Sequence, residues 1–324
     1  DLAGKDLSGA VLKGVNLSNK DLSGTVFDDA DLTDAVLPNQ LSGNNFSRAT
    51  LNGVDLSGKD LSNSDFSHSK LDGANMENAD LTNAMFVDVD FTKIKNKSLA
   101  GADLTHTSLA YSNLSGVSLD GTILEQNNFQ KANLSGTDFT AISNASFYGS
   151  IFHQADLSNA NFEGMSLFDN KIWETSCKIG EGNCQAEWAD KSNYELTQEF
   201  FGIFPNSMVI GVKVDGNQLE IHYVLYTNFY AGNLHNANFS STNLGLSNFL
   251  STTLTGVDFT NAEIINANFE DADLTNADMT NANLTNAVLR NADLTGANLQ
   301  NAIVDGVKLD GAILKCKNNP ICVN

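Results

Sequence analysis

Large apolar residues recur at every fifth position of this chain. Between Ala272 and Ala302 the sequence ADLTNADMTNANLTNAVLRNADLTGANLQNA places Leu or Met at one position of each group of five. An α-helix needs apolar residues at a period of about 3.6 and a β-strand at a period of about 2, so this pattern fits neither. It predicts a short straight segment followed by a corner in every repeat.

Each group of five has a constant internal order. The residue two before the large apolar residue is usually small, and the residue between them is usually Asp or Asn. In an extended segment the small and large residues point inward, and the Asp or Asn points outward. Ser, Thr, Gly and Asn dominate the next two positions and accept tight turns. Repeated corners would wind the chain into coils whose backbones pair about 4.8 Å apart.

The repeat covers most of the chain and changes phase at a few places. Unbroken runs span residues 2–37, 41–91, 99–139, 147–167 and about 229–314. We interpret the change at 37–41 as a shortened corner, and the changes at 91–99 and 139–147 as bulged loops. Proline cannot donate to a backbone ladder, and Pro38, Pro205 and Pro320 all lie outside the unbroken runs.

Tandem A(D/N)LXX units resemble the pentapeptide repeat family over about residues 1–169 and 224–315. The resemblance implies an all-β fold, a right-handed quadrilateral β-helix with four pentads in each coil, in which residues twenty apart stack. Phe46, Phe66 and Phe86 have that spacing, so aromatic columns are expected inside the coil. Roughly eight N-terminal coils and between four and five C-terminal coils would make a rod about 60 Å long if they are coaxial.

Residues 170–223 interrupt the pentads and contain both tryptophans. SNYE has the form of a capping box and predicts a helix at about 193–204. MVIGVKV and QLEIHYVLY flank DGN, which predicts a β-hairpin. We therefore expect a small α+β insertion, followed by a second β-helical block at 224–315 and a tail at 316–324.

The four cysteines lie outside the repeats, in CKIGEGNC and CKNNPIC. Two short loops favour the disulfides Cys177–Cys184 and Cys316–Cys322, although four cysteines allow three pairings. A zinc site is the alternative, but the intervals are longer than usual between zinc ligands. Disulfides would place the protein outside a reducing cytosol, so we expect an extracellular or cell-surface location. The start at Asp1 favours a mature product without its leader over a chain trimmed at its start.

Asn-x-Ser/Thr sequons supply candidate glycosylation sites on a secreted surface. They are weak evidence, because a repeat rich in Asn, Leu, Ser and Thr generates such triplets by itself. The candidate sites are Asn16, Asn45, Asn96, Asn113, Asn133, Asn144, Asn238 and Asn283.

Composition restricts the possible partners and chemistry. Eighteen basic against 39 acidic residues give a net charge of −21, which opposes direct binding to nucleic acid or anionic lipid. No apolar run is long enough for a membrane span, so no membrane insertion is expected. The sequence contains no HExxH, GxSxG, P-loop, GxGxxG or EF-hand pattern, and we expect no enzyme, no cofactor and no metal. The histidines are scattered, at His68, His106, His153, His222 and His235.

Two classes of function remain. Some members of the family that the chain resembles are acidic mimics of DNA that bind gyrase, and the charge of −21 fits that class. The expected disulfides and the insertion favour instead a secreted structural or adhesive rod, with the insertion as a lateral contact module. Leu2 is already a central residue, so the first coil would present an unpaired edge to another chain. We expect end-to-end association with itself into a fibre or surface layer, or binding to another protein, with a closed dimer as the alternative assembly.

Overall fold

The computed structural model describes residues 2–142, 144–147, 149–168, 173–178, 207–215 and 218–323. Most of these residues form a β-helix made of isolated parallel bridges rather than long strands. Each bridge joins the Asp/Asn position of one pentad to the same position one coil further on, as from Asp258 to Asp278. The predicted outward position is therefore also the position that pairs the coils.

Each pentad closes with a tight turn. The carbonyl of the central residue accepts the N–H three residues on, as from Ala30 to Phe27 at 3.0 Å. The second turn residue has a positive φ, for example 59° at Asn276 and 58° at Asn281. This geometry is that of a type II turn, and it explains why Asn and Gly occupy the position.

The bridges form four ladders, which define four faces of the coil. Faces A, B and C begin at Asp6, Val11 and Asn16, and face D is the ladder through Asp60. The turn between faces A and B is the A–B corner, and the other corners are named in the same way. The predicted coil of four pentads is thus present, with face B opposite face D.

Phase changes in the sequence are absorbed at corners. Coils repeat every twenty residues, but the bridge from Val26 to Asn45 spans a shortened coil that contains Pro38. The longer coil at 91–99 holds two short 3-10 helices, Phe91–Lys93 and Lys95–Lys97. At the other predicted bulge, strands β1 (Ile123–Glu125) and β2 (Asn144–Ser146) pair in parallel.

The β-helix continues across the segment between Phe168 and Thr227. Ile151 bridges Asn228, and the three other ladders resume in the same way on the far side of the segment. Phe152 stacks on Phe229 with ring centroids 5.2 Å apart. The two blocks of pentads are therefore one continuous, coaxial β-helix.

Three strands of the interrupting segment are described, β3 (Trp173–Lys178), β4 (Ser207–Asp215) and β5 (Gln218–Leu225). They form an antiparallel sheet in the order β3–β5–β4. β4 and β5 lie where the sequence predicts a hairpin, and β5 continues past the predicted boundary at residue 223. Alternate side chains of β5 are buried, namely Leu219, Ile221, Tyr223 and Leu225. The predicted helix at 193–204 lies outside the described residues.

The core is a column of stacked apolar side chains. The rings of Phe229 and Phe249 are 4.9 Å apart and those of Phe249 and Phe269 are 4.8 Å apart, with interplanar angles of 4° in both pairs. Phe259 meets Phe249 at 78°, because it projects from the opposite face. All four rings are fully buried, so the predicted aromatic columns are confirmed. Burial of each contributes about 1.5–3 kcal/mol to stability.

The C-terminal tail covers part of the edge of the last coil. Cys316 and Cys322 are joined by a disulfide. Lys317 forms a bridge with Asn298, and the Asn319 Nδ2 donates to the carbonyl oxygen of Leu299 at 3.3 Å. The tail therefore lies over the end of the β-helix and does not fold aside from it.

Candidate interaction surface

The described residues contain no arrangement typical of catalysis. No group of three His, Cys, Asp or Glu side chains in these ranges could hold a metal ion. None of the helices in the same ranges has the length and apolar character needed to cross a bilayer. An open groove of about 460 Å³ lies on the D–A corner, beside the point where the interrupting segment leaves the β-helix. Among the described residues its lining includes Phe168, Leu246 and Ile265, and Glu263 is the one carboxylate in that set.

The outward Asp and Asn residues have a local structural role. The Asp273 Oδ1 accepts the N–H of Thr275 at 3.0 Å and its hydroxyl at 2.7 Å. This pair of hydrogen bonds holds the entry to the turn, as an Asx turn does. The same contacts hold in ladder after ladder, so most outward carboxylates are engaged before any partner binds.

Six of the eight sequons are explained by this turn. In each of them the asparagine Oδ1 accepts the N–H of the Ser or Thr two residues on, as required by the fold; these asparagines are Asn16, Asn45, Asn113, Asn133, Asn238 and Asn283. Asn96 lies in the second 3-10 helix with a φ of 57°, and Asn144 lies in β2. Glycosylation at any of them stays a prediction.

Hydroxyl donors lower the pKa of several outward carboxyls. The pKa values of Asp6, Asp21 and Asp31 lie below the ordinary value of 3.8. The main cause is a hydrogen bond from the hydroxyl group of Ser8, Ser23 or Thr33, and the N–H of the same residue contributes a smaller effect. The lowered values keep these groups ionised to lower pH.

The cysteine predictions fall on two parts of the structure. Cys316 is buried and bonded to Cys322. Cys177 lies in β3, where its backbone is opposite Leu219. The Cys177 side chain and all of Cys184 lie outside the described residues, so that pairing stays a prediction.

One corner of the β-helix differs from the others in chemistry. The B–C, C–D and D–A turns are mostly Ser, Thr, Gly and Asn, whereas the A–B turns carry large aromatic and charged side chains. We call this row the A–B ridge; its members are Arg48, His68, Asp88, Tyr111, Lys131, His153, Tyr230 and Arg290.

The middle of the A–B ridge brings two aromatic rings and two basic groups together. The Lys131 Nζ lies 5.1 Å from the centroid of the Tyr111 ring, a cation–π distance. The next two coils place the His153 ring 4.8 Å from that of Tyr230. Burial lowers the pKa of His153, and the charge of Lys131 lowers it further by a smaller amount. The neutral form of His153 is therefore favoured near pH 7.

The outer parts of the A–B ridge consist of ion pairs between coils. The Arg48 Nε lies 3.1 Å from the Asp29 Oδ2, and its guanidinium also contacts Asp28. The His68 Nδ1 lies 3.2 Å from the Asp88 Oδ2. Exposed pairs such as these contribute little to stability, about 0–1 kcal/mol each.

The sequence alone did not reveal this ridge. Its neighbours are twenty residues apart in regular coils, but Lys131 and His153 are separated by a lengthened coil, and His153 and Tyr230 by the interrupting segment. Thus His68 and His153 lie on one ridge although they are distant in sequence. His106 and His235 lie on other corners, and His222 lies in β5 with its Nε2 2.8 Å from the Glu220 Oε1.

Comparison with known proteins identifies the repeat. A family model described as pentapeptide repeats matches more than half of the chain, at residues 6–39, 60–95, 98–140, 142–164, 233–271, 252–291 and 277–315. It is a repeat family, and no catalytic family is indicated. No curated protein matches the chain.

Several solved structures are similar in part. HetL, a protein involved in heterocyst differentiation regulation from the cyanobacterium Nostoc sp. strain PCC 7120, is 22% identical, with coverage of 85% of this chain and 88% of HetL and a TM-score of 0.28. Rfr23 from the cyanobacterium Cyanothece 51142 is 29% identical over 29% of this chain and 63% of its own, also with a TM-score of 0.28. QnrB1, a plasmid-mediated fluoroquinolone resistance protein, is 14% identical over 86% of each chain, with a TM-score of 0.23.

Proposed function

The chain belongs to the pentapeptide repeat family, and on that premise we propose that it is a non-enzymatic structural or adhesive rod that acts outside the cell. The observation that carries the proposal is the unbroken ladder of face A, from Asp6 on the first coil to Lys308 on the last. A solenoid in which every coil is bonded to the next is a stiff spacer that presents side chains at regular intervals.

The distribution of side chains supports a protein-binding role for the rod. Aromatic and basic groups are concentrated on the A–B ridge, and aromatic residues and Arg are enriched in protein interfaces. Tyr111 is half exposed although its ring is large and apolar. We take the A–B ridge as the lateral contact surface, with the α+β segment at 170–223 as a second contact module.

Association end to end is the assembly that this proposal includes. The side chains of Leu2, Leu7 and Leu12 on the first described coil are only partly buried. Val11, at the outward position of face B on this coil, is 79% exposed. Partly exposed apolar side chains on a terminal coil favour pairing with another chain. The tail covers only part of the last coil, so a repeated head-to-tail contact between the first and last coils would produce a fibre.

Electron microscopy and light scattering of the purified full chain test the proposal. We expect particles that lengthen with concentration in steps of about one rod, roughly 60 Å for the coil count at strand spacing. A bulky N-terminal fusion should stop the lengthening, whereas the same fusion inserted in the exposed turn at Gly58 should not. A monodisperse monomer across the concentration range would contradict the assembly.

The alternative function is that of an acidic DNA mimic that binds a DNA-processing enzyme such as gyrase. The net charge of −21 and the outward carboxylates on all four faces favour it. The basic groups of the A–B ridge interrupt that negative surface. A supercoiling assay with purified gyrase separates the two functions: inhibition by the chain at micromolar concentration would support the mimic, and no effect is expected for the structural rod.

A further inference from the structure

One side of the rod is rich in basic groups although the whole chain is strongly acidic. On face B, Lys70 is exposed on the fourth coil. The 3-10 helices that follow form a basic loop, in which Lys93, Lys95 and Lys97 are all exposed. Arg48, His68 and Lys131 of the A–B ridge border the same face. We call face B of the third to eighth coils, with these two borders, the basic side.

Several cations of the basic side have no carboxylate partner among the residues that the structure describes. Lys93 pairs with Asp90 at 3.5 Å, and His68 pairs with Asp88. The ion pairs found in the described ranges include none for Lys70, Lys95, Lys97 or Lys131. Free basic groups on a chain with a net charge of −21 are the part of the surface that an acidic partner would approach.

The opposite side of the same coils is anionic. Face D carries Asp60, Asp80 and Asp103 on three successive coils, joined by ladder bridges. Within the described part of the chain these three carboxylates make no ion pair. Face B itself carries Asp90 and Asp156 as well as Lys70, so the positive charge of this region is concentrated on the basic loop, whereas face D carries the three carboxylates.

We propose that the basic side binds face D of a second copy of this chain, so that rods associate side by side. This inference rests on the proposed structural function and names the surface that such a rod would use. Both copies have the same rung spacing, about 4.8 Å, so one ionic contact brings the next into register. Nucleic acid is the less suitable acidic partner, because the net charge of −21 repels a phosphate backbone at long range.

Sedimentation and electron microscopy of charge variants of the full chain test the proposal. At low salt, about 20 mM, we expect wild-type chains to form side-by-side pairs and larger lateral arrays, because each rod keeps one of its two opposite faces free. These assemblies should separate at about 500 mM, where screening is strong. Reversal of the basic loop with Lys93→Glu, Lys95→Glu and Lys97→Glu should weaken pairing on the order of tenfold or more. It should leave end-to-end lengthening unchanged.

Two matched variants separate the possible outcomes. Neutralisation of face D with Asp60→Asn, Asp80→Asn and Asp103→Asn keeps the turn acceptors and should also weaken side-by-side pairing. The second variant is the control for the loop reversal. It replaces three lysines of the first coil with Glu, namely Lys5, Lys13 and Lys20, and so changes the net charge by the same amount as the loop variant. It should keep the pairs and can shorten only the end-to-end assemblies.

Several results would overturn the proposal. They are the absence of pairs at low salt, pairs that persist in the loop variant or at high salt, and binding of a DNA duplex through the same lysines. Loss of lengthening with pairs retained would contradict the end-to-end assembly and support side-by-side association. Lengthening without side-by-side pairs would contradict the side-by-side association and support the end-to-end assembly.

Discussion

At the scale of single residues, the outward Asp or Asn of each pentad has two tasks. Its backbone bridges the neighbouring coils, and its side chain accepts the N–H of the residue two on, as Asp258 does from Thr260 at 2.8 Å. On face A the amides also bond along the rod, since the Asn248 Nδ2 donates to the Asn228 Oδ1 at 3.1 Å. Asp and Asn are therefore interchangeable in the turn but differ in charge.

Phe249 and Asp258 give a direct comparison of inward and outward positions. Phe249 is fully buried between two stacked rings, so Phe249→Asp would bury an unpaired charge and should lower the free energy of unfolding by about 4 kcal/mol or more. Asp258→Asn retains the turn acceptor and should change it by less than about 0.5 kcal/mol. Thermal and denaturant unfolding compare the variants, and equal small losses would contradict the assignment.

Stability should decrease in acid because of the capped carboxylates. The folded-state pKa values of Asp6, Asp21 and Asp31 lie below 3.8, so their contribution is present above that pH and is lost as the pH falls through the lowered values. A variant with Asn at all three positions cannot be protonated there and should show a shallower loss. Denaturant unfolding measured from about pH 7 down to about pH 2 provides the test. Parallel curves for the variant and the wild type would rule out this cause.

At the scale of elements, the sequence predicts the pentad well and the interruptions less well. The period of five, the inward Phe and the tight turn depend on contacts within a few residues, and all are present as predicted. The A–B ridge depends on which pentads are stacked, and a loop or insertion at one corner changes that register for every later residue. Tyr111, Lys131, His153 and Tyr230 could be aligned only after the lengthened coil at 139–147 and the interrupting segment had been placed.

The disulfide-closed tail should stabilise the last coil locally. Replacing Cys316 and Cys322 with Ser removes a short loop closure worth about 2 kcal/mol in the chain-entropy account. Hydrogen exchange should then become faster at the amides of Lys308 and Ile313, which bond to the preceding coil. The amide of Asn248 in the middle of the rod serves as the control. Unchanged exchange at the C-terminal amides would show that the tail does not act as a cap.

At the scale of the whole molecule, the interrupting segment is an addition to a β-helix that closes without it. Thr227 and Asn228 occupy the small and outward positions of the pentad centred on Phe229. Joining Phe168 to Thr227 through one glycine therefore recreates a regular pentad after Leu167, with glycine at the positive-φ position.

Deletion of residues 169–226 with that single glycine should leave a folded rod. Nearest-neighbour contacts hold the coils, and the bridge between Ile151 and Asn228 persists in the shortened chain. We expect an unchanged far-ultraviolet signature per repeat and cooperative unfolding at a similar temperature. A deletion to Thr227 without the glycine removes one corner residue and serves as the out-of-register control. Loss of the far-ultraviolet signature and of cooperative unfolding in both variants would mean that the segment is required for folding.

The direction of the bridges also determines how the rod would respond to force. Hydrogen bonds between coils run along the rod axis, as from Leu274 to Asp293 at 2.8 Å, so tension on the two ends pulls each rung open instead of shearing it. The coils should therefore unfold one at a time at low force. Each coil of twenty residues should increase the length of the chain by about 60–70 Å. The coil beside the interrupting segment should give one longer step. Such a rod would extend under load in discrete steps, and the number of residues in one coil would set the length of each regular step.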